Sequence, residues 1–188
     1  MSFLTSASKA LALMTRKAAT MKTGTGVNVH HHEIEKASGE SATLGDWAGE
    51  VLMLVNVASK CGLTPQYEQL VEIHRRFRDR GFQVIGLPAN NFMGQEPGSN
   101  EEIQTFCSAK YGVDFEVLGK LSVAGDDQHA LYADLTSEKN GEMGGDIEWN
   151  FAKFIVNKKG DVVARVHPKM LPNDPEVVEC IERELDSK

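Results

Sequence analysis

The segment spanning residues 51–87 most constrains the fold, because it combines a strand, a helix and a second strand. Val51–Val55 is an unbroken apolar run, which predicts a buried strand. Thr64 and Pro65 match the N-cap and first position of a helix. The apolar residues after them recur at helical spacing: Tyr67, Leu70, Val71, His74 and Phe77. Phe82–Leu87 then predicts a second strand, so the segment predicts parallel strands joined by a right-handed crossover.

The rest of the chain completes an α/β pattern. The stretch 27–44 predicts a small β-hairpin with turn residues at 37–40, and Ser99 with Glu102 forms a capping box. Further elements are a strand at 117–123, a short helix at 128–136, a hairpin at 153–166 and a last helix capped by Asn173 or Asp174. This order predicts a thioredoxin-like fold, with a central mixed β-sheet flanked by helices and an extra N-terminal β-hairpin.

Composition narrows the functional class. The chain has 188 residues, 41% hydrophobic and 25% charged, which is typical of one globular domain. Its net charge of −7 argues against nucleic-acid binding, and no apolar run is long enough for stable membrane insertion. The three cysteines are odd in number and widely spaced, so they predict reduced thiols in a reducing, cytoplasmic compartment.

Residues 1–26 differ from the remainder. They contain four basic residues, no acidic residue and many Ser, Thr and Ala. Three interpretations are open: a leader that directs the protein to an organelle, a disordered tail, or an upstream start codon with true initiation at Met14 or Met21. The structured domain is predicted to span residues 27–188.

Cys61 is the first candidate for chemistry. It lies between the predicted strand at Val51–Val55 and a helix start, where ligands gather in α/β folds and where the helix dipole favours a thiolate. The sequence therefore predicts that Cys61 is a nucleophile. The neighbouring Lys60 either favours the thiolate or is simply a solvated side chain.

Histidines form the second candidate group. His30, His31 and His32 are consecutive, and on a strand at most two of them share a face. With no other close cluster of metal ligands in the sequence, they predict a solvent-facing strand or loop, and neither a metal site nor a cofactor is expected. His74 falls on the apolar helix face and is expected to be packed and hydrogen-bonded.

Three separated motifs give a specific resemblance. VNVASKCG at 55–62, GQEPGSNEEI at 94–103 and WNF at 149–151 resemble the glutathione peroxidase family, particularly its cysteine-containing bacterial-type branch. The resemblance extends from about Val29 to Leu185. It implies a thioredoxin fold and a peroxidase that reduces hydrogen peroxide and organic or lipid hydroperoxides.

The resemblance implies a catalytic group of Cys61, Gln95, Trp149 and Asn150. The chemistry of these side chains agrees with that role. The thiolate attacks the O–O bond, while the amides and the indole donate uncharged hydrogen bonds to the thiolate and to the departing oxyanion.

Oxidised Cys61 is a sulfenic acid that a second thiol must resolve. The position at which some relatives carry a resolving cysteine is Ala89 here, but the motif FCSAKYGV at 106–113 resembles thioredoxin-dependent members and places Cys107 in that role. Alternatively, Cys107 is one buried residue of a helix stripe. Both hold if the helix unwinds or shifts to let Cys107 reach Cys61. Cys180 is expected to have no catalytic role.

The partners follow from this resemblance. A Cys61–Cys107 disulfide implies a thioredoxin-like reductant, whereas a one-cysteine peroxidase would use glutathione. A short loop before Trp149 implies a monomer with an open site. A peroxide sensor that oxidises a partner protein through Cys61 is the alternative from another class, and an inert thioredoxin-fold binding module is disfavoured by the intact catalytic group.

Overall fold

A central six-stranded mixed sheet organises the molecule, for which a computed structural model describes residues 19–187. The strand order is β1-β8-β7-β4-β5-β6, and β2 pairs with β3 in a separate hairpin. The strands are β1 Met21–Thr23, β2 Glu33–Glu35, β3 Ser41–Thr43, β4 Val51–Val57, β5 Phe82–Pro88, β6 Glu116–Val117, β7 Lys153–Val156 and β8 Val162–Val166. β4 is parallel to β5 and antiparallel to β7, so the sheet is mixed as predicted.

The helices are α1 Tyr67–Phe77, α2 Asn100–Tyr111, α3 Ala130–Leu135 and α4 Pro175–Asp186. Alternation along β4 divides the core between the two faces of the sheet. Met53 and Val55 contribute to the core formed with α1, α2 and α4. Leu52 and Leu54 contribute to the core formed with α3 and the β2–β3 hairpin. The sheet is therefore buried on both faces, which explains the unbroken apolar run in β4.

Most predicted elements are confirmed, with some changes. The hairpin at 27–44 forms with three residues in each strand, and Asp174 caps α4 by accepting the Glu176 N–H. The strand predicted over 117–123 is wrong beyond its first residue. Only Glu116 and Val117 pair with β5, because the buried apolar residues that follow pack from irregular backbone.

The predicted N-terminal boundary needs a correction. Met21–Thr23, placed by the sequence in a disordered extension or leader, forms strand β1 and pairs antiparallel with Ala164–Val166 of β8. Backbone pairing with an open sheet edge orders this polar segment, and its side chains carry little hydrophobic pattern. The ordered domain begins before residue 27. The predictions for residues 1–18 lie outside the described residues.

Among residues 19–187, the structure contains no helix with both the length and the apolar character needed to span a bilayer.

Candidate active site

Cys61 lies in the loop between β4 and α1, and its side chain is only 8% exposed. The Leu63 N–H donates to Cys61 Sγ over 3.4 Å. The Cys61 N–H donates to Thr64 Oγ1 over 3.0 Å, and this hydroxyl donates in turn to the Ala58 carbonyl over 2.8 Å. The loop therefore fixes the cysteine backbone and aims a backbone donor at its sulfur.

The prediction that Thr64 caps the helix is wrong. A 3-10 turn over Thr64–Gln66 precedes α1, and neither the turn nor α1 has a side-chain cap. The Thr64 hydroxyl points backwards to the Cys61 loop because Cys61 N–H and Ala58 C=O are buried groups that need partners. Cys61 thus precedes a 3-10 turn, which continues directly into the α-helix.

Gln95 is tied to the Cys61 loop through its backbone. The Lys60 N–H donates to the Gln95 carbonyl over 3.0 Å. The side chain of Gln95 accepts a hydrogen bond from Asn150 Nδ2 at its Oε1 over 2.9 Å. This bond occupies the amide oxygen of Gln95 and leaves its Nε2 donors for another acceptor.

Trp149, Asn150 and Phe151 are held by the end of β4. Asn56 Nδ2 donates to the Trp149 carbonyl over 3.1 Å, and the Phe151 N–H donates to the Asn56 carbonyl over 2.6 Å. Phe151 has a φ of +67°, a left-handed conformation that is rare for a bulky residue and that concentrates at functional sites. The Trp149 ring is half-buried and packs on Phe92 with centroids 5.4 Å apart.

Asn150 is fully buried, and its Oδ1 is a buried acceptor for which the described residues supply no donor. A buried, unpaired amide oxygen costs free energy unless a ligand or water satisfies it. The Gln95–Asn150 pair therefore presents unsatisfied hydrogen-bonding capacity beside the Cys61 loop.

Cys107 is buried on α2 and faces Tyr67, the first residue of α1. Its thiol donates to the Tyr67 hydroxyl over 3.3 Å. Burial raises the pKa of Cys107 to about 11, although the Tyr67 hydrogen bond acts in the opposite direction. The Tyr67 ring also meets Phe151 edge-on, with centroids 5.7 Å apart. All three cysteines, including Cys61, are free thiols.

Helix α2 is weakly anchored in the core. Only Ile103 and Cys107 are buried among its 12 residues. By contrast, six of the 11 residues of α1 are buried. A capping box between Ser99 and Glu102 secures the start of α2. Few buried apolar contacts favour local opening, so α2 is expected to undock more readily than α1.

A cleft of about 400 Å³ separates the Cys61 loop from α2. Its lining comprises Ser59, Lys60, Glu96, Pro97, Gly98, Glu102, Ile103 and Phe106. Glu96 is buried, and burial raises the pKa of its carboxyl while hydrogen bonds from Ser59 oppose the shift. The ionisable groups that line the cleft are therefore one ammonium and two carboxyls.

Comparison with known proteins identifies the family. The family model for glutathione peroxidase matches residues 29–136. The Escherichia coli thioredoxin/glutathione peroxidase BtuE is 44% identical over 172 residues, covering 81% of this chain and 94% of BtuE. The chain belongs to the glutathione peroxidase family. This membership confirms the predicted resemblance, including its bacterial-type branch, and makes the protein a peroxidase that reduces hydroperoxides.

Solved structures of related proteins agree with this glutathione peroxidase fold. The crystal structure of Trgpx in its apo form matches with a TM-score of 0.68 at 29% identity, covering 86% of this chain and 97% of that one. A thioredoxin-family thiol:disulfide interchange protein from Chlorobium tepidum matches with a TM-score of 0.61 at 13% identity, covering 87% and 99%. The second likeness shows the fold alone, and it confirms the thioredoxin-like prediction.

The remaining histidines and cysteine considered in the sequence lie outside the Cys61 loop. His74 is buried as expected, but its Nδ1 has no hydrogen-bond partner among the described residues. Cys180 is buried in α4, where Arg183 donates to its sulfur over 3.2 Å and burial raises the pKa of the thiol. The prediction of a solvent-facing histidine run is wrong for His32, which is buried, whereas His31 is exposed.

Sequence reasoning missed three residues that hold the site of this peroxidase together. Asn56 anchors Trp149, Tyr67 bonds to Cys107, and Glu96 lies buried between the Cys61 loop and α2. A polar Asn56 inside an apolar strand was a usable indication of a buried hydrogen-bonding role. Tyr67 gave no comparable indication, because an aromatic residue on an apolar helix face normally serves packing.

Proposed function

We propose that this peroxidase reduces hydroperoxides through a Cys61 thiolate, resolves the oxidised cysteine with Cys107, and is recycled by a thioredoxin-like protein. The observation that carries the proposal is the hydrogen-bonded Gln95–Asn150 pair, whose Gln95 backbone is bonded to Lys60 immediately before Cys61. The pair supplies uncharged donors beside a nucleophile, an arrangement suited to an attack that generates an oxyanion.

In the first step, the Cys61 thiolate attacks the terminal oxygen of the hydroperoxide. A sulfur–oxygen bond forms, the O–O bond breaks, and an alkoxide or hydroxide leaves and takes up a proton. Cys61 becomes a sulfenic acid. The Nε2 group of Gln95, the indole N–H of Trp149 and the second Nδ2 hydrogen of Asn150 donate hydrogen bonds that stabilise the thiolate and the leaving oxyanion.

In the second step, the Cys107 thiol attacks the sulfur of the Cys61 sulfenic acid, forming a disulfide and releasing water. Docked Cys107 is a poor nucleophile, because its pKa of about 11 keeps it protonated at neutral pH. Undocking of α2 both exposes Cys107 and returns its thiol to an ordinary environment. The sparse burial of α2 supports such a movement.

In the third step, a dithiol protein reduces the disulfide by thiol–disulfide exchange. The name of BtuE, a thioredoxin/glutathione peroxidase, is consistent with either reductant. The cleft between the Cys61 loop and α2 favours thioredoxin, because Lys60 is the one basic residue among those that line it. Glutathione carries two carboxylates, and a single ammonium cannot pair with both.

A coupled assay that follows NADPH consumption tests the proposal, with thioredoxin and thioredoxin reductase in one arm and glutathione and glutathione reductase in the other. The wild-type protein is expected to turn over continuously with thioredoxin and much more slowly with glutathione. Cys61→Ser is expected to abolish both activities. Cys107→Ser is expected to keep one stoichiometric oxidation by peroxide and to lose thioredoxin-dependent turnover.

Cys180→Ser provides the matched control. The Cys180 thiol is also buried, and its replacement is expected to leave turnover unchanged. Sustained activity of Cys107→Ser with thioredoxin would refute its resolving role. A wild-type protein that undergoes a single oxidation with neither reductant supporting turnover would instead indicate a peroxide sensor.

A further inference from the structure

The side chains of His31 and His32 lie close to that of Asp134, although about a hundred residues separate the two histidines from Asp134 in sequence. His32 Nε2 donates to Asp134 Oδ2 over 3.0 Å, and His31 Nε2 lies 3.8 Å from the same oxygen. The two imidazole rings lie 4.1 Å apart between centroids. One potential ligand atom from each residue falls within 4.8 Å of the others. The sequence alone did not predict this cluster, because the histidines lie in and just after a turn and not on a regular strand.

The distances fit a shared cation, and the His31 contact has no explanation as a hydrogen bond. The 3.8 Å separation between His31 and Asp134 is too long for a hydrogen bond. Zinc bonds to histidine nitrogen and carboxylate oxygen at about 2.1 Å, so tetrahedral ligand atoms lie about 3.4 Å apart. The two separations from Asp134, 3.0 and 3.8 Å, bracket that value, and all three ligand atoms lie within 4.8 Å of one another. Binding a cation therefore requires side-chain shifts that close the longest of these separations.

Hydrogen bonds to the backbone hold His32 and Asp134 in place. The His32 N–H donates to the Val29 carbonyl over 3.2 Å and closes the turn, and the His32 carbonyl accepts from Leu44 over 3.1 Å. Asp134 lies in α3, and its carbonyl accepts the side chain of Asn140 over 2.7 Å. The ligands are therefore positioned by ordered elements, which reduces the entropic cost of gathering them around an ion.

We propose that His31, His32 and Asp134 form a binding site for a divalent transition-metal cation of the zinc class. Two imidazoles and a carboxylate suit Zn²⁺ and Co²⁺, whereas Mg²⁺ and Ca²⁺ prefer all-oxygen sites. The His31 side chain is 65% exposed, so the remaining position is open to water. The site lies on the face of the sheet that packs against α3 and the β2–β3 hairpin, whereas Cys61 lies on the opposite face.

Equilibrium dialysis of the reduced full-length protein against Zn²⁺, together with absorption spectra of the Co²⁺ form, tests this site. We expect one tightly bound Zn²⁺ per chain and visible Co²⁺ bands without sulfur-to-metal charge transfer. His31→Ala and Asp134→Asn are each expected to weaken Zn²⁺ binding by about tenfold or more, since even outer-sphere changes cost about 10–100-fold. Zn²⁺ should also raise the Tm of the wild-type protein by more than that of either variant.

His167→Ala is the matched control, because His167 pairs with a single carboxylate, Glu148, at 3.3 Å. This variant is expected to bind Zn²⁺ like the wild type. The proposal is overturned by absence of Zn²⁺ binding, by equal affinity in wild type and His31→Ala, or by Co²⁺ spectra dominated by thiolate ligation. His31 is exposed, so His31→Ala is expected to fold and to keep the test decisive if Asp134→Asn does not.

Discussion

The Cys107 thiol lies 3.3 Å from the hydroxyl of Tyr67, so a hydrogen bond joins the middle of α2 to the first residue of α1. Tyr67 belongs to the helix that follows the Cys61 loop, and its ring meets Phe151 of the WNF segment. The docked position of the proposed resolving cysteine is thus coupled to both segments of the candidate active site. The rate at which Cys107 leaves this docked position and the reactivity of its released thiol can therefore be measured separately.

Tyr67→Phe is expected to accelerate formation of the Cys61–Cys107 disulfide. The change removes the hydrogen bond that holds Cys107 but preserves the ring. A buried hydrogen bond contributes about 0.5–1.5 kcal/mol, so the undocked population should rise by about 2- to 12-fold. Rapid mixing with peroxide, acid quenching and peptide mapping would give the rate. Tyr111→Phe, in the ring that stacks on Tyr67, is the control. A resolution rate that stays equal to wild type in Tyr67→Phe would contradict the undocking step.

Ser99→Ala is expected to increase hydrogen exchange throughout α2. The substitution removes the N-cap that accepts the Glu102 N–H, at a cost of about 0.5–2 kcal/mol. Because α2 buries so little, the whole helix should open. Asp174→Ala removes the equivalent cap of α4, which has four buried residues, and there the increase should be confined to the first turn. Equal responses in the two helices would argue against a weakly docked α2.

Gln95→Ala is expected to slow oxidation of Cys61 by peroxide by about 10²–10³-fold, as for the loss of one preorganised donor in other enzymes. The substitution also leaves the buried Asn150 amide without its Gln95 acceptor, so stability is expected to fall by about 1–3 kcal/mol, and the rate is measured under conditions in which the variant is folded. Stopped-flow measurement of the second-order rate constant checks this. Gln104→Ala is a matched control, because Gln104 lies on α2 and donates to the Val117 carbonyl of β6, not to the Cys61 loop. A Gln95→Ala rate within a factor of about two of wild type would exclude a catalytic donor role.

Thr64→Val is expected to destabilise the protein by about 1–3 kcal/mol, because it leaves the Cys61 N–H and the Ala58 carbonyl buried without their partner. Thr64→Ser keeps the hydroxyl and should therefore lose less stability than Thr64→Val. Urea denaturation of the two variants gives the comparison. If Thr64→Val and Thr64→Ser lower the unfolding free energy by the same amount, the hydroxyl does not hold the Cys61 loop.

Lys153 provides a pH-dependent prediction. It is fully buried, donates to the carbonyls of Pro168 and Met170, and has a pKa that burial lowers to about 7 from 10.5. Between these values the unfolded chain binds a proton that the folded chain does not, so this group makes stability rise with pH. Below pH 7 both states carry the proton and its effect is constant.

The difference in unfolding free energy between wild type and Lys153→Met should therefore increase from pH 7 to 10, by at most about 1.4 kcal/mol per pH unit. Urea denaturation at several pH values measures it. If the unfolding free energies of wild type and Lys153→Met change with pH in the same way, Lys153 keeps its proton in the folded protein.

The β4–α1–β5 unit could be predicted because its apolar pattern is strong and local. Strand β1 could not, because Met21–Thr23 is ordered by backbone pairing with β8, which is more than 140 residues away in sequence. The strand predicted at 117–123 failed for the opposite reason. Its apolar residues are buried, but burial in irregular backbone looks the same in sequence as burial in a strand.

The candidate site divides in the same way. Cys61, Gln95, Trp149 and Asn150 could be named from motifs, and the structure places their segments in hydrogen-bonded contact. The contacts of Tyr67 with Cys107, and of His32 with Asp134, join residues 40 and 102 positions apart. Such pairings depend on how helices pack on the sheet, which no local pattern of residues specifies.

Strand β1 has a consequence for any maturation of the protein. A peptidase that removed all of residues 1–26 would remove Met21–Thr23 and bare the hydrogen-bonding edge of β8. An exposed edge strand can pair with another molecule and promote aggregation. Proteolytic trimming that keeps the edge of β8 covered is therefore confined to the residues before Met21.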